Sequence, residues 1–128
     1  MLKNVTTFLF LLMACVCMGQ ANSAQQVFSG EISDSVCSKE GSHDAMMKKS
    51  GVNTTVKCTI GCAMTRGKYV LYNRTTKQIY QLDDQERPQE FAGQKVRVRG
   101  SLDASNSTIH VSGIELVQGK STTAQSKP

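Results

Sequence analysis

The chain has 128 residues, a formal charge of +5, 39% hydrophobic residues and 20% charged residues. This length supports one compact core and excludes two. The mild positive charge suits a soluble surface, and by itself it is not the signature of a nucleic-acid-binding protein.

The first 24 residues have the features of a secretory signal. Lys3 supplies a positive charge, residues 5–18 are mostly apolar, and residues 21–24 are small enough for signal cleavage. The apolar run is shorter than the ~20 residues of a membrane span, and no second one follows. We therefore predict a signal peptide over residues 1–24 and a secreted or periplasmic protein without a transmembrane segment. Residues 12–15 also resemble a bacterial lipobox, so lipidation of Cys15 is an alternative.

The remaining chain is predicted to form a single domain over residues 25–118. Residues 25–33 alternate between apolar and polar side chains, with Phe28 and Ile32 on one face, which predicts a half-buried first strand. Gly30 would allow a bend or bulge in it. From Gly119 onward no large apolar side chain remains, so we predict a disordered tail over residues 119–128.

Two helices are predicted after the first strand. Ser42 is a suitable N-cap for a short helix that ends at Gly51. A second helix is predicted from Thr55 to Arg66, capped by Asn53 or Thr54. Val56, Ile60 and Ala63 are expected to form its apolar stripe. Gly61 weakens the helix, which suggests that a neighbouring segment packs closely against it.

The second half of the domain is predicted to be mainly β. Residues 68–72 and 78–82 form a hairpin, residues 88–92 a single helical turn, and residues 94–100 a strand with alternating buried and basic positions. The last strand changes face near Ser112 and Gly113, which predicts a bulge there.

Five strands with a short helix between the third and fourth are typical of a small Greek-key barrel of the oligonucleotide/oligosaccharide-binding (OB) type. We therefore predict a mainly β, OB-like barrel with a helical insertion over residues 34–67 between strands one and two. In that fold this connection lies at the mouth used for ligands, so we look for function there.

Three segments of the chain resemble a bacterial family of small secreted proteins known only as a domain of unknown function. They are Asp34–Cys37, Cys58–Cys62 followed by 67–71, and the closing strands at 92–100 and 109–111. The resemblance covers nearly all of residues 28–117. It implies a secreted bacterial protein and no known activity.

The insertion carries the three cysteines that follow the predicted signal. Cys58 and Cys62 are one helical turn apart, so their thiols share a face of the helix. With Cys37 and His43 they complete a Cys3His set, which suits zinc or, with methionines nearby, copper(I). We predict a metal site at Cys37, His43, Cys58 and Cys62.

Two other uses of the cysteines remain open. Outside the cytoplasm Cys37 can form a disulfide with Cys58 or Cys62 and staple the insertion to the first strand. In that case His43, at a helix start, is expected to be solvated. A thiol-redox protein is the third hypothesis, although the chain lacks a Cys-x-x-Cys motif.

No sequence signature of an enzyme is present: there is no serine elbow, no paired metal-binding histidines and no phosphate loop. A second candidate surface is a groove for single-stranded nucleic acid or another polyanion, formed by Lys95, Arg97 and Arg99 with Lys68, Tyr69 and Tyr72 on a neighbouring strand. A charged outer strand face is the commoner explanation, and the predicted secretion disfavours nucleic acid further. We predict a non-enzymatic binding module of the cell envelope, with a small ligand or an envelope protein as its partner.

Overall fold

The computed structural model describes residues 24–118. The predicted signal peptide apart from Ala24, with Cys15 inside it, and the predicted tail over residues 119–128 lie outside the described residues. Within residues 24–118, no helix is long and apolar enough to cross a membrane.

Residues 24–118 form five strands, three α-helices and one 3₁₀ turn. The strands are β1 (Gln26–Asp34), β2 (Tyr69–Asn73), β3 (Gln78–Leu82), β4 (Lys95–Asp103) and β5 (Thr108–Leu116). The helices α1 (Cys37–Glu40), α2 (Asp44–Ser50) and α3 (Thr55–Thr65) lie between β1 and β2, and the 3₁₀ turn Arg87–Phe91 lies between β3 and β4. The predicted mainly β architecture with a helical insertion after the first strand is confirmed. The single turn of α1 was not predicted.

The five strands form a closed barrel in the order β1-β2-β3-β5-β4. Every neighbouring pair is antiparallel except β3 and β5, which run parallel and pair only through Gln81 with Thr108 and Leu82 with Ile109. Strand β1 pairs with β4 along its first part and with β2 along its last part, and Glu31 belongs to both ladders. Closure leaves few unpaired strand edges, which protects a small β domain from edge-to-edge association.

Gly30 marks a close approach of two backbones, and the predicted bulge there is not present. The register of β1 against β4 passes through Gly30 without a shift. A Cβ at this position would lie 2.8 Å from the carbonyl oxygen of Tyr72, so only glycine fits without movement of the neighbouring strand.

The barrel core consists of side chains from all five strands. Its fully buried members include Ile32, Leu71, Val96, Val98 and Ile109. The predicted alternation of β4 is confirmed, because its valines are buried while Lys95, Arg97 and Arg99 are exposed. The predicted bulge in β5 is also confirmed. Arg99 faces Gly113 and Gly100 faces Val111, so Ser112 is the extra residue.

Helix α3 begins and ends close to the predicted residues. Thr54 caps it by accepting a hydrogen bond from the Lys57 amide at 3.3 Å. Ala63 and Ile60 of the predicted stripe pack against the barrel core, whereas Val56 is 43% exposed. The prediction that Gly61 packs closely is wrong, since a Cβ there would meet no atom within 4 Å. Cys58 and Cys62 are buried as well, in a second cluster, so the helix packs on two sides.

Candidate metal centre

Three buried cysteines meet inside the insertion and form what we call the thiol cluster. Cys37 opens α1 directly after β1, and Cys58 and Cys62 project from α3. Their exposed fractions are 1%, 3% and 8%, and within residues 24–118 none is in a disulfide. Met46, Met47 and Val52 pack around the cluster, which is separate from the barrel core.

The potential ligand atoms fall into two trios that share Cys37. Those of Cys37, His43 and Cys58 all lie within 4.8 Å of one another, and so do those of Asp34, Cys37 and Cys62. All five side chains are buried. The structure thus brings together every residue of the predicted Cys3His set, and it adds Asp34, which was not among the predicted ligands. The signal for Asp34 was a carboxylate at a strand end three residues before a cysteine.

His43 is only 4% exposed, so the expectation of a solvated histidine is wrong. The outer face of β1 holds its Nε2, which lies 3.3 Å from the Ser33 hydroxyl oxygen and 3.8 Å from a carboxylate oxygen of Glu31. Its Nδ1 has no hydrogen-bond partner and lies 3.6 Å from Oδ2 of Asp34. One ring nitrogen is therefore oriented by polar neighbours while the other is left available to a ligand.

Asp34 uses its two carboxylate oxygens differently. Oδ1 accepts hydrogen bonds from the backbone amides of Val36, at 3.0 Å, and Cys37, at 2.8 Å, and so shapes the turn that presents the Cys37 thiol. Oδ2 is buried without a hydrogen-bond partner, and the residue is 0% exposed. A buried carboxylate oxygen in this state is costly unless a proton or a cation joins it.

An ion pair supports the histidine from the far side. Arg74 donates to both carboxylate oxygens of Glu31, at 2.9 Å and 3.2 Å. Burial by itself would raise the pKa of Glu31, but the neighbouring His43 and the hydrogen bonds from Arg74 outweigh it and hold that pKa at about 2. Glu31 is therefore a permanent anion behind His43, an arrangement common behind metal-bound histidines.

The surroundings of Cys37 and Cys58 raise the pKa of both thiols. Burial, followed by the charges of Asp34, Cys58 and Cys62, raises the pKa of Cys37 well above the ordinary value. Burial also raises the pKa of Cys58, although a hydrogen bond with Cys37 works in the opposite direction. Reactive thiols in redox proteins have lowered pKa values, so these shifts disfavour the redox hypothesis.

A groove of about 390 Å³ between α2 and α3 reaches the thiol cluster. Cys58 and Cys62 line it together with Met46, Val52 and the open position at Gly61. Lys49, Lys57 and Arg66 also line it, no acidic side chain does, and none of these three cations forms an ion pair within residues 24–118. The groove gives the cluster a route to solvent with a positive rim.

The remaining candidate residues have other surroundings. His110 is exposed on β5, and its Nδ1 lies 3.1 Å from Oδ2 of Asp83. Tyr69 and Tyr72 are only 4% and 3% exposed, so they are not available to stack on bases. In the basic row, Arg99 pairs with Glu115 at 2.6 Å. These contacts fit a charged outer strand face.

Residues 64–117 match the model of a family described as a protein of unknown function (DUF5818). This match confirms the resemblance to a domain of unknown function over that segment, which contains β2 to β5. All five clustered side chains precede residue 64 and lie outside it. No curated protein and no solved structure matches the chain.

Proposed function

We propose that this chain is a non-enzymatic metal-binding module, secreted or periplasmic, that holds zinc through Cys37, His43, Cys58 and Cys62. The observation that carries the proposal is the meeting of three buried thiols with a buried histidine whose Nδ1 has no partner. Thiolate sulfur and imidazole nitrogen are the usual donors of protein zinc sites.

The spacing of the donors supports binding after a small contraction. Zinc–sulfur bonds of about 2.3 Å in a tetrahedral site place neighbouring sulfur atoms about 3.8 Å apart. The donors of Cys37, His43 and Cys58 are already within 4.8 Å of one another, and Cys62 lies within 4.8 Å of Cys37 in the second trio. Because burial raises the pKa of Cys37 and of Cys58, zinc binding would release protons and lower the pKa of the thiols that bind it.

We also infer that the barrel is of the OB type. The strand order, the sharing of β1 between β2 and β4, and the 3₁₀ turn between β3 and β4 support this assignment. On this assignment the insertion replaces the connection between the first two strands, which borders the ligand-binding mouth of such barrels.

The test measures metal and thiols on the mature protein purified without reductant or chelator. We expect bound zinc by elemental analysis, and three reactive thiols after denaturation with a chelator. Cys58→Ser should lower zinc affinity by about tenfold or more, because the variant lacks one of the residues that bind the metal directly. His110→Ala is the matched control, since this histidine lies on an exposed strand face and should leave zinc binding unchanged.

A disulfide-stapled domain is the second candidate, because Cys37 lies within reach of both Cys58 and Cys62. The same preparation tests it. A protein with no zinc, one reactive thiol and a mass about 2 Da below that of the reduced chain would establish the disulfide and refute the metal site.

Copper(I) is the competing metal, and the packing of Met46 and Met47 against the thiol cluster favours it. Replacement of both methionines by leucine keeps their volume but removes the thioethers. If copper(I) is the native ion, this double variant should weaken copper(I) in an anaerobic competition titration and leave zinc affinity unchanged.

A further inference from the structure

The two trios of donors meet at one atom, the sulfur of Cys37. One trio joins it to His43 and Cys58, and the other joins it to Asp34 and Cys62. Within residues 24–118 the donors separate into these two groups of three, and no larger group meets the same spacing. A single tetrahedral ion takes four donors, so it leaves at least one of these five buried groups without a cation.

Each trio contains a buried polar atom without a hydrogen-bond partner. In one it is Nδ1 of His43, and in the other it is Oδ2 of Asp34. The two atoms are 3.6 Å apart, which is longer than the ~2.7–3.2 Å of a hydrogen bond. Ring and carboxylate thus lie within ion-pair distance without a hydrogen bond, and both atoms can bind a ligand.

Within residues 24–118 the carboxylate of Asp34 has no basic partner from Lys or Arg. Arg74, the cation on this side of β1, is paired with Glu31. An ion on Cys37, His43 and Cys58 alone would leave this buried carboxylate without a metal, whereas a second ion on Cys37, Asp34 and Cys62 would bind it.

We propose that the cluster holds two divalent ions bridged by the Cys37 thiolate, one on Cys58 and His43 and the other on Cys62 and Asp34. This proposal rests on the proposed zinc-binding function and specifies its stoichiometry. Cys58 is a donor to the first ion and Cys62 is a donor to the second. Both cysteines line the groove, so each ion has a side that faces the groove. A water molecule or a small anion entering past the positive rim would complete each coordination shell.

Stoichiometry under native conditions tests the proposal. The mature protein is loaded with zinc, dialysed against a weak chelator, and measured by native mass spectrometry and elemental analysis. We expect two zinc ions per chain, one in Asp34→Asn, and none or weakly bound zinc in Cys37→Ser. Asp44→Asn is the matched control, because Asp44 is an exposed carboxylate next to His43 and the variant should keep two ions.

The Asp34→Asn variant removes the charge of the carboxylate but should leave the fold of the turn intact. An asparagine oxygen can still accept from the amides of Val36 and Cys37, so the turn into α1 should persist. Cys62→Ser removes the other unshared ligand of the ion bound by Asp34, and this variant should also lose one zinc ion. Substitution with cobalt(II) adds a direct readout, since two cobalt ions that share a thiolate couple magnetically and the paramagnetic signal per ion falls as the second one binds.

The possible failures are distinguishable. One zinc ion in the parent protein, retained at full affinity by Asp34→Asn, would overturn the two-ion site and leave the proposed function intact. Absence of zinc from the loaded parent protein would overturn both. Two ions with no cobalt coupling and no dependence on Cys37 would place the second ion elsewhere and also refute the bridge.

Discussion

Arg74, Glu31 and His43 form a line of polar contacts that ends at the thiol cluster. The carboxylate of Glu31 accepts from Arg74 on one side and faces Nε2 of His43 on the other. Ser33 adds a hydroxyl beside the same nitrogen. Polar side chains on the outer face of β1 thus hold the histidine ring in place. Their contribution to stability depends on Glu31 remaining charged.

Acid should weaken this support, because His43 and Arg74 hold the pKa of Glu31 below its ordinary value. The pKa of Glu31 is about 2 in the folded protein against an ordinary value of 4.5. Its contribution to the free energy of unfolding is therefore complete above pH 4.5 and is lost as pH falls toward 2. Arg74→Gln should raise that pKa, lower stability by about 2 kcal/mol at neutral pH and flatten the acid-dependent loss.

Urea unfolding of metal-free protein at neutral and acid pH measures both effects. Arg66→Gln is the control, because Arg66 is exposed and forms no ion pair within residues 24–118. An equal loss of stability in both variants at every pH would contradict the assigned role of Arg74.

At the scale of elements, local signals in the sequence predict the helices and strands well. Caps at Thr54 and Gly51, the alternation of β4 and the change of face at Ser112 depend on neighbouring residues only, and each has its predicted structural counterpart. Which side of a helix is buried depends on what packs against it. The burial of His43 and the inward cysteine face of α3 require the insertion to fold back over β1, and no local pattern encodes that contact.

Helix α3 carries a glycine without a structural need for one. Gly61 lies within the helix, and a Cβ there meets no atom within 4 Å. Gly61→Ala should stabilise the protein by about 0.5 to 1 kcal/mol, since alanine favours the helix. Gly30→Ala is the opposite case and should destabilise it by about 1 to 3 kcal/mol, because its Cβ would collide with the Tyr72 carbonyl. Thermal unfolding of both variants checks the two signs.

At the scale of the whole domain, residues 24–118 contain two separate hydrophobic clusters. The barrel core includes Phe28 and Val98, whereas the thiol cluster with Met46, Met47 and Val52 lies inside the insertion. Helix α3 joins them, since Ala63 belongs to the barrel core and Cys62 to the thiol cluster. We therefore expect the barrel to keep its core without metal, while α2, whose Met46 and Met47 pack on the thiol cluster, depends on that cluster.

Removal of metal should loosen the insertion and spare the barrel. With a chelator, hydrogen exchange in residues 37–50 is expected to rise strongly, and exchange in β4 (Lys95–Asp103) to change little. Hydrogen-exchange mass spectrometry with and without zinc makes the comparison. Uniform loss of protection across both segments would show a single cooperative unit instead.

The positive rim of the groove also bears on how an ion arrives. Lys49, Lys57 and Arg66 present three cationic side chains around the opening. They repel a bare divalent cation and attract the same ion when a polycarboxylate carries it as a negative complex. Added salt should consequently speed uptake of hydrated zinc and slow uptake from the anionic carrier, so the protein would draw its metal from chelated pools in its surroundings.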